Sequence, residues 1–304
     1  MKVRRAYVVE AFGRAAWSAV AALLVALVIA SPAGAAPKGI FSVFRSCPAS
    51  ELKGRATNPI CVYEQTAGGV LRIGRTTVPI DRPITVQAGG LNVEGGWDLV
   101  PPSGGTIISK TPLEVPGGLS GVVQCGAIGG RLAQASCGAA EGTEVMATIE
   151  AVPSSSDPAF INTYGIFGEK PLLVLPVRVH LGNVFLGNSC YLGSGSHPMM
   201  LEMTFWTTSP SPPNKPISGH KGSFDQELEN DLEALAFGES SLVDNAFSVP
   251  AAEGCAGQSS SLIDPMVDAK LGLPSTAGHN TAILDAEVLE LAAVENVIKS
   301  EEYL

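Results

Sequence analysis

Histidine and serine are the residues of this chain that could carry nucleophilic chemistry. The four histidines are His180, His197, His220 and His279, and none has a partner at i+3 or i+4 that indicates a metal site. His197 follows two serines in Gly-Ser-Gly-Ser-His-Pro, but a catalytic triad is a spatial arrangement with an orienting acid. The chain also lacks the G-x-S-x-G turn of many serine hydrolases. We therefore interpret the His197 segment as a turn and predict no catalytic residue and no cofactor.

A series of acidic residues could bind calcium, which prefers oxygen ligands. Carboxylates occupy every second position from 225 to 233, and the weak metal candidates among them are Asp225, Glu227, Glu229 and Asp231. The D-x-D-x-D-G pattern of a calcium loop is missing, so a solvated strand face or a protected sheet edge is the preferred interpretation. The segment 224–237 also has leucines at helical spacing behind Ser223 as a possible N-cap. Strand and helix both stay open, with strand favoured for its second half.

Six cysteines follow residue 35, and their even number predicts a disulfide framework in an oxidising compartment. Sequence order suggests the pairs Cys47–Cys61, Cys125–Cys137 and Cys190–Cys255. The first two pairs close short loops, and the third closes a long one. No C-x-x-C pair is present, so the cysteines are predicted to be structural and not zinc ligands.

The first 35 residues have the pattern of a signal peptide. Lys2, Arg4, Arg5 and Arg14 precede or begin an apolar run that ends near Ala30, and Ala33-Gly34-Ala35 fits a signal-peptidase site. The sequence leaves open whether export uses the Sec or the twin-arginine route and whether the segment is cleaved or retained as an anchor. We expect a protein that is secreted or associated with the cell envelope and that has no membrane contact after cleavage.

The remaining residues, 36–304, are predicted to form a single acidic, β-rich domain. The whole chain has a net charge of −10, and removing four basic residues and one acidic residue leaves 15 basic and 28 acidic ones, a net charge of −13. Such a charge repels a polyanion, so the sequence predicts no nucleic-acid partner. The apolar share of 45% is enough for a core, and 34 glycines and 22 prolines supply many turns.

Alternating apolar residues locate the strands. The clearest lie at 143–152, at 172–181 and at 199–206, and shorter runs precede them from residue 61 onward. Residues 40–44 are predicted to be a strand-like entry, and 127–135 a short helix or a loop. The spacing after Asp285 predicts an amphipathic terminal helix capped by that residue. The fold class is therefore predicted to be all-β or β-dominated, a two-sheet sandwich with three disulfides and a short C-terminal helix.

Several phrases of the sequence resemble a family of secreted actinobacterial proteins that have no assigned activity. They are Gly187-Asn-Ser-Cys-Tyr191, Pro213-Asn-Lys-Pro-Ile-Ser-Gly219, Leu242-Val-Asp-Asn-Ala-Phe-Ser-Val-Pro250 with Gly254-Cys255, and Ile263-Asp-Pro265 to Leu271-Gly-Leu-Pro274. The resemblance covers about residues 40 to 298. It implies export, a mostly β domain and cysteines in fixed structural positions, and it implies no functional residue.

These features predict a non-enzymatic exported protein that acts through its surface in the cell envelope or the medium, with an unknown partner. The alternative is a binder of small molecules or lipids, indicated by the methionines and aromatic residues of 199–206. An apolar cavity beside that strand would favour this alternative. A hydrolase is the third hypothesis.

Overall fold

The computed structural model describes residues 36–154, 156–168 and 170–302, so the predicted signal peptide lies outside the described residues. The β-dominated fold with three disulfides and a short C-terminal helix is confirmed. The fifteen strands are β1 Ile60–Ile73, β2 Thr76–Pro79, β3 Ile84–Val93, β4 Gly96–Val100, β5 Pro112–Glu114, β6 Met146–Ala151, β7 Phe160–Asn162, β8 Leu173–Gly182, β9 Tyr191–Leu192, β10 Met199–Met203, β11 Ser223–Glu229, β12 Leu232–Gly238, β13 Ser241–Asp244, β14 Ala252–Glu253 and β15 Thr281–Ala293.

The helices are short. The α-helices are α1 Ala49–Leu52, α2 Gly118–Val122, α3 Arg131–Ala140, α4 Ser260–Leu271 and α5 Val294–Ser300. The 3₁₀ helices are Gly39–Ser46, Cys125–Ala127, Thr163–Phe167 and Gly257–Ser259. No helix of the described residues has the length and apolarity needed to cross a membrane.

All fifteen strands belong to one hydrogen-bonded, antiparallel sheet and not to two separate sheets. The path runs β15-β1-β3-β4-β7-β8, and β10 pairs with residues 173–177 of β8 on the edge opposite β7. Just after β10, the Thr204 N–H donates to the Val243 carbonyl of β13 at 3.0 Å, and the Val243 N–H donates back at 2.9 Å. Because β13 also pairs with β15, this exchange closes a circuit of eight strands. The hairpin of β11 and β12 extends from β15 outside that circuit.

Strand β1 shows how the sequence builds two faces. Val62 and Leu71 belong to the large apolar core inside the closed sheet, whereas Cys61 faces a second, smaller cluster outside. The outer cluster is covered by α1, α5 and the 3₁₀ helix Gly39–Ser46, whose buried members include Phe41 and Phe44. The alternation places successive side chains on opposite faces, so one strand contributes to both clusters.

The three disulfides join the cysteines that the sequence order pairs: Cys47–Cys61, Cys125–Cys137 and Cys190–Cys255. The first ties the segment before α1 to the start of β1, and the second ties α3 to the 3₁₀ helix before it. The third spans 65 residues and lies beside the short pair of β9 and β14. No described cysteine is free.

Two local predictions are wrong. Asp285 is not a helix cap, because it lies within β15, where its carboxylate accepts a hydrogen bond from the Ser241 hydroxyl at 2.9 Å. Pairing of β15 with β1, β12 and β13 overrides the helical spacing of the local sequence. Residues 40–44 lie in a 3₁₀ helix and not in a strand, since Phe41 and Phe44, three positions apart, both pack onto the outer face of the sheet.

Candidate ligand-binding groove

A groove of about 570 Å³ opens where β1 begins and β15 ends. Trp97 of β4 forms its aromatic wall, and Ile60 and Ile298 contribute aliphatic surface. The remaining lining residues are Lys53, Gly54, Asn58, Pro59, Ala293, Val294, Glu295, Lys299 and Glu302. The groove is therefore assembled from the loop before β1, from β4 and from α5.

A second hollow of about 300 Å³ adjoins the first and shares Ile60, Trp97 and Ala293 with it. Its other wall is the β11–β12 hairpin, which contributes Leu235 and Glu233. Sites for small ligands are concave, mostly apolar and a few hundred Å³ in volume. The two hollows have those dimensions, with the half-buried Trp97 between them.

The ring of Trp97 is held in place on two sides. Its indole Nε1–H donates to the Asn58 carbonyl at 3.2 Å, which ties β4 to the loop before β1. Gly90 of β3 leaves the space that Trp97 and Ile60 occupy, because a Cβ there would lie 3.0 Å from the Trp97 Cβ and 2.7 Å from the Ile60 Cγ1. A ring held in this way is preorganised, so Trp97 loses little side-chain entropy when a ligand stacks on it.

Charges around the groove balance. Lys299 forms an ion pair with Glu295 at 2.8 Å, and this cation holds the pKa of the Glu295 carboxyl below its usual range. Lys53 and Glu302 add one charge of each sign. A chain with a net charge of −10 thus has a groove without a dominant charge. Such a site suits a neutral or zwitterionic molecule that has both an apolar face and polar groups.

A second unusual group, Glu64 of β1, lies inside the closed sheet and is 1% exposed. Burial raises the pKa of its carboxyl to about 7, although a hydrogen bond from the Thr66 hydroxyl to Oε1 at 3.1 Å acts in the opposite direction. Its Oε2 has no hydrogen-bond partner in the described part of the chain. Glu64 lines two cavities of about 10 and 30 Å³, and the larger has room for one water molecule.

The histidines do not converge on a site. His197 is exposed, with its Nδ1 3.1 Å from the Ser196 Oγ, and its N–H donates to the Ser194 Oγ at 3.2 Å in a tight turn. His180 packs against the Tyr191 ring at 4.9 Å, while His220 and His279 are exposed. Among the described hydrogen bonds, none joins a histidine to a carboxylate.

The methionine-rich strand β10 is part of the core. Met199, Leu201 and Met203 are each at most 5% exposed, and Phe205 packs beside Phe237 with ring centroids 6.0 Å apart. The cavity that Leu201 borders measures about 30 Å³, which is too small for an organic ligand. The small-molecule hypothesis therefore has its physical basis at the groove and not at this strand.

The acidic series does not lie on one strand face. Asn230 and Asp231 form a two-residue turn between β11 and β12, and both have positive φ, 51° and 62°. Asp225, Glu227 and Glu229 lie on one face of β11, whereas Glu233 lies on β12 opposite Leu228, toward the groove. The described residues contain no group of three or more His, Cys, Asp or Glu that could hold a metal ion.

No sequence pattern indicates the groove, and only the position of Glu64 on its strand indicates the buried carboxyl. The groove joins segments near residues 53–60, 97, 235 and 293–302, and no local pattern connects them. Glu64 had a local signal: it is a lone acid on the face of β1 that also carries Val62 and Thr66, both buried. An acid at such a position of a buried strand face indicates a carboxyl in the core.

Comparison of the chain with models of known families, with curated proteins and with solved structures found no match.

Proposed function

We propose that this protein is an exported, non-catalytic binding protein of the cell envelope or the medium, and that the groove beside Trp97 takes a small amphipathic molecule. The observation that carries the proposal is the pair of adjoining hollows, about 570 and 300 Å³, with an immobilised tryptophan between them. The balanced charges around the groove favour a ligand that is neutral or zwitterionic.

Several features support the export part of this proposal. Three disulfides are typical of proteins that fold in an oxidising environment outside the cytoplasm. The sequence pattern of residues 1–35 predicts a signal peptide, and the resemblance to secreted actinobacterial proteins implies the same destination.

The interior of the closed sheet is a poor alternative location for the ligand. Its two cavities beside Glu64, about 10 and 30 Å³, are far below the volume of an acyl chain. A lipid-like ligand would therefore have to lie in the groove, with its polar end near the charged side chains of α5.

Two tryptophans, the half-buried Trp97 and the exposed Trp206, allow a matched test. Trp97 and Trp206 each donate an indole hydrogen bond to a backbone carbonyl, at 3.2 and 2.9 Å, but only Trp97 lines the groove. We would purify the wild type, Trp97→Ala and Trp206→Ala from the native host and identify co-purifying compounds by untargeted mass spectrometry. We expect the wild type and Trp206→Ala to retain the same compound and Trp97→Ala to lose it.

Thermal unfolding of each variant separates loss of the ligand from loss of the fold. If no compound accompanies the folded wild type, or if folded Trp97→Ala retains it, the groove is not the binding site.

A further inference from the structure

The edge strand β11 is a second surface that the proposed function does not use. It pairs with β12 along seven residues, Ser223↔Gly238 to Glu229↔Leu232, and no described residue pairs with its other edge. Five of its seven residues are exposed, and the other two are half-buried. Of the usual devices that block pairing at an open edge, the strand has no proline, no lysine and no bulge but only its row of carboxylates, which repels an acidic strand and attracts a basic one. Its backbone N–H and C=O groups are thus free to form a new ladder.

One face of this edge is acidic. Asp225 lies in register with Ala236 of β12, and Ala236 lies in register with Glu290 of β15, so the acidic face continues across the hairpin. Burial and the charge of Glu227 raise the pKa of Glu290 to about 7. Neither ion pair found among the described residues, Arg178–Glu150 or Lys299–Glu295, involves these carboxylates.

Glu229, the third acid of β11, already has an internal role. Its carboxylate accepts a hydrogen bond from the Ile40 N–H at 2.7 Å, at the start of the 3₁₀ helix Gly39–Ser46. Asp225 and Glu227 therefore remain as the acids of the edge that a cation could meet. A basic side chain placed beside them gains charge pairing that the described part of the chain does not supply.

The opposite face of the edge carries two apolar side chains, one on each side of Gln226. Phe224 is 52% exposed and Leu228 is 68% exposed, although Phe224 leans on the buried Phe237 with ring centroids 5.1 Å apart. A strand added next to β11 would cover both side chains. Its side chains must alternate in the same way as those of β11, because successive residues of a strand point to opposite faces.

We infer that the free edge of β11 accepts an extended segment of a partner polypeptide in which basic and apolar residues alternate, so that the segment adds a strand to the sheet. A second copy of this chain does not fit the edge. Antiparallel pairing of β11 with itself about Gln226 would place Asp225 opposite Glu227 of the other copy, and like charges in directly opposite positions are destabilising.

The test uses the fluorescein-labelled peptide Lys-Val-Lys-Val-Lys-Val-Lys and measures its anisotropy on titration with the purified protein. We expect Asp225→Lys combined with Glu227→Lys to weaken binding by about tenfold or more. The control is Glu94→Lys combined with Glu141→Lys, which makes the same charge change at two exposed acids elsewhere and should leave binding within about twofold of the wild type. Trp97→Ala should also bind normally, because the groove is a separate site.

Two N-methylated peptides distinguish strand addition from charge attraction alone. One carries N-methyl groups on its valines and the other on its lysines. Because the backbone N–H groups of alternate residues face opposite edges of a strand, each peptide loses the hydrogen-bond donors of one edge only. In an added strand, one set of N–H groups faces β11 and the other faces solvent. We expect one methylated peptide to lose about tenfold or more in affinity and the other to bind like the parent.

Equal affinity of the two methylated peptides would overturn the inference. It would also be overturned if Asp225→Lys/Glu227→Lys bound the parent peptide as tightly as the wild type does. A dimer in sedimentation equilibrium that Asp225→Lys alone tightens would overturn it as well, because that change places a lysine opposite Glu227 of the other copy and the edge would then be occupied by a second copy of the chain.

Discussion

Replacement of the buried acid Glu64 by glutamine tests the physical description of the closed sheet. The carboxyl is 1% exposed and has one hydrogen bond, from the Thr66 hydroxyl to Oε1. Glutamine keeps an oxygen at that position and has nearly the same shape, but it cannot ionise. The variant therefore removes the titration while it retains the packing and the Thr66 contact.

The magnitude follows from the pKa of Glu64, which burial raises from 4.5 to about 7 in the folded protein. A difference of one in pKa corresponds to about 1.4 kcal/mol, so this rise corresponds to about 3 kcal/mol. Because the folded-state pKa is the higher one, the favourable contribution is complete below pH 4.5. It is lost progressively as the pH rises toward 7, where the folded protein must ionise a carboxyl without a partner for Oε2.

The assay is urea unfolding of the wild type and Glu64→Gln, followed by circular dichroism with the disulfides intact, between pH 4 and pH 8.5. Raised pKa values of other acids, such as Glu290 and Asp244, affect both proteins equally, so the difference between the two curves isolates Glu64. We expect the free energy of unfolding of Glu64→Gln, measured relative to that of the wild type, to increase by about 3 kcal/mol from pH 4 to pH 8.5. Parallel curves would refute the reasoning, because they would mean that Glu64 titrates in the folded protein as it does in water.

Two further variants test other parts of the framework. Asn280 is fully buried, accepts a hydrogen bond from the Gly74 N–H at 2.9 Å and donates one to the Phe247 carbonyl at 2.9 Å. Because Asn280→Ala leaves both backbone groups without this partner, we expect it to lower the free energy of unfolding in urea by about 2–4 kcal/mol. The control is Asn296→Ala, which removes an exposed hydrogen bond to the Glu233 carbonyl. If Asn280→Ala lowers the free energy of unfolding by no more than Asn296→Ala does, this interpretation is contradicted. Replacing Cys190 and Cys255 together by serine opens a 65-residue loop and should cost about 4 kcal/mol, and an unchanged unfolding midpoint would contradict it.

The elements predicted best from the sequence are those whose pattern and burial agree. β6 and β8 have clear alternation, and the structure places them side by side, with Ile149 opposite Val179. The preference for a strand in the second half of 224–237 is also confirmed, because that half is β12. The turn inside the segment had a signal as well, since asparagine and aspartate tolerate positive φ and Asn230-Asp231 is a two-residue hairpin turn.

The parts that could not be predicted depend on contacts between distant segments. The residues after Asp285 have helical spacing, yet they form the end of a strand that pairs with three others. Closure of the sheet depends on the exchange between Thr204 and Val243, which no periodicity reveals. The groove depends on Gly90, whose missing side chain admits Trp97 and Ile60, and the sequence shows only one glycine among many.

Strand β1 connects these features physically. Its first residue, Ile60, lines the groove, and its second, Cys61, is bonded by a disulfide to the segment before α1. Glu64 follows three residues after Cys61, and its side chain is buried inside the closed sheet. Its partner β15 carries the β11–β12 hairpin on its other edge, so β12 and β15 separate the open edge of β11 from β1. A peptide that adds to β11 lies on the far side of the hairpin whose Leu235 lines the second hollow. The groove and the open edge of β11 are therefore separate surfaces, and the β11–β12 hairpin contributes to both.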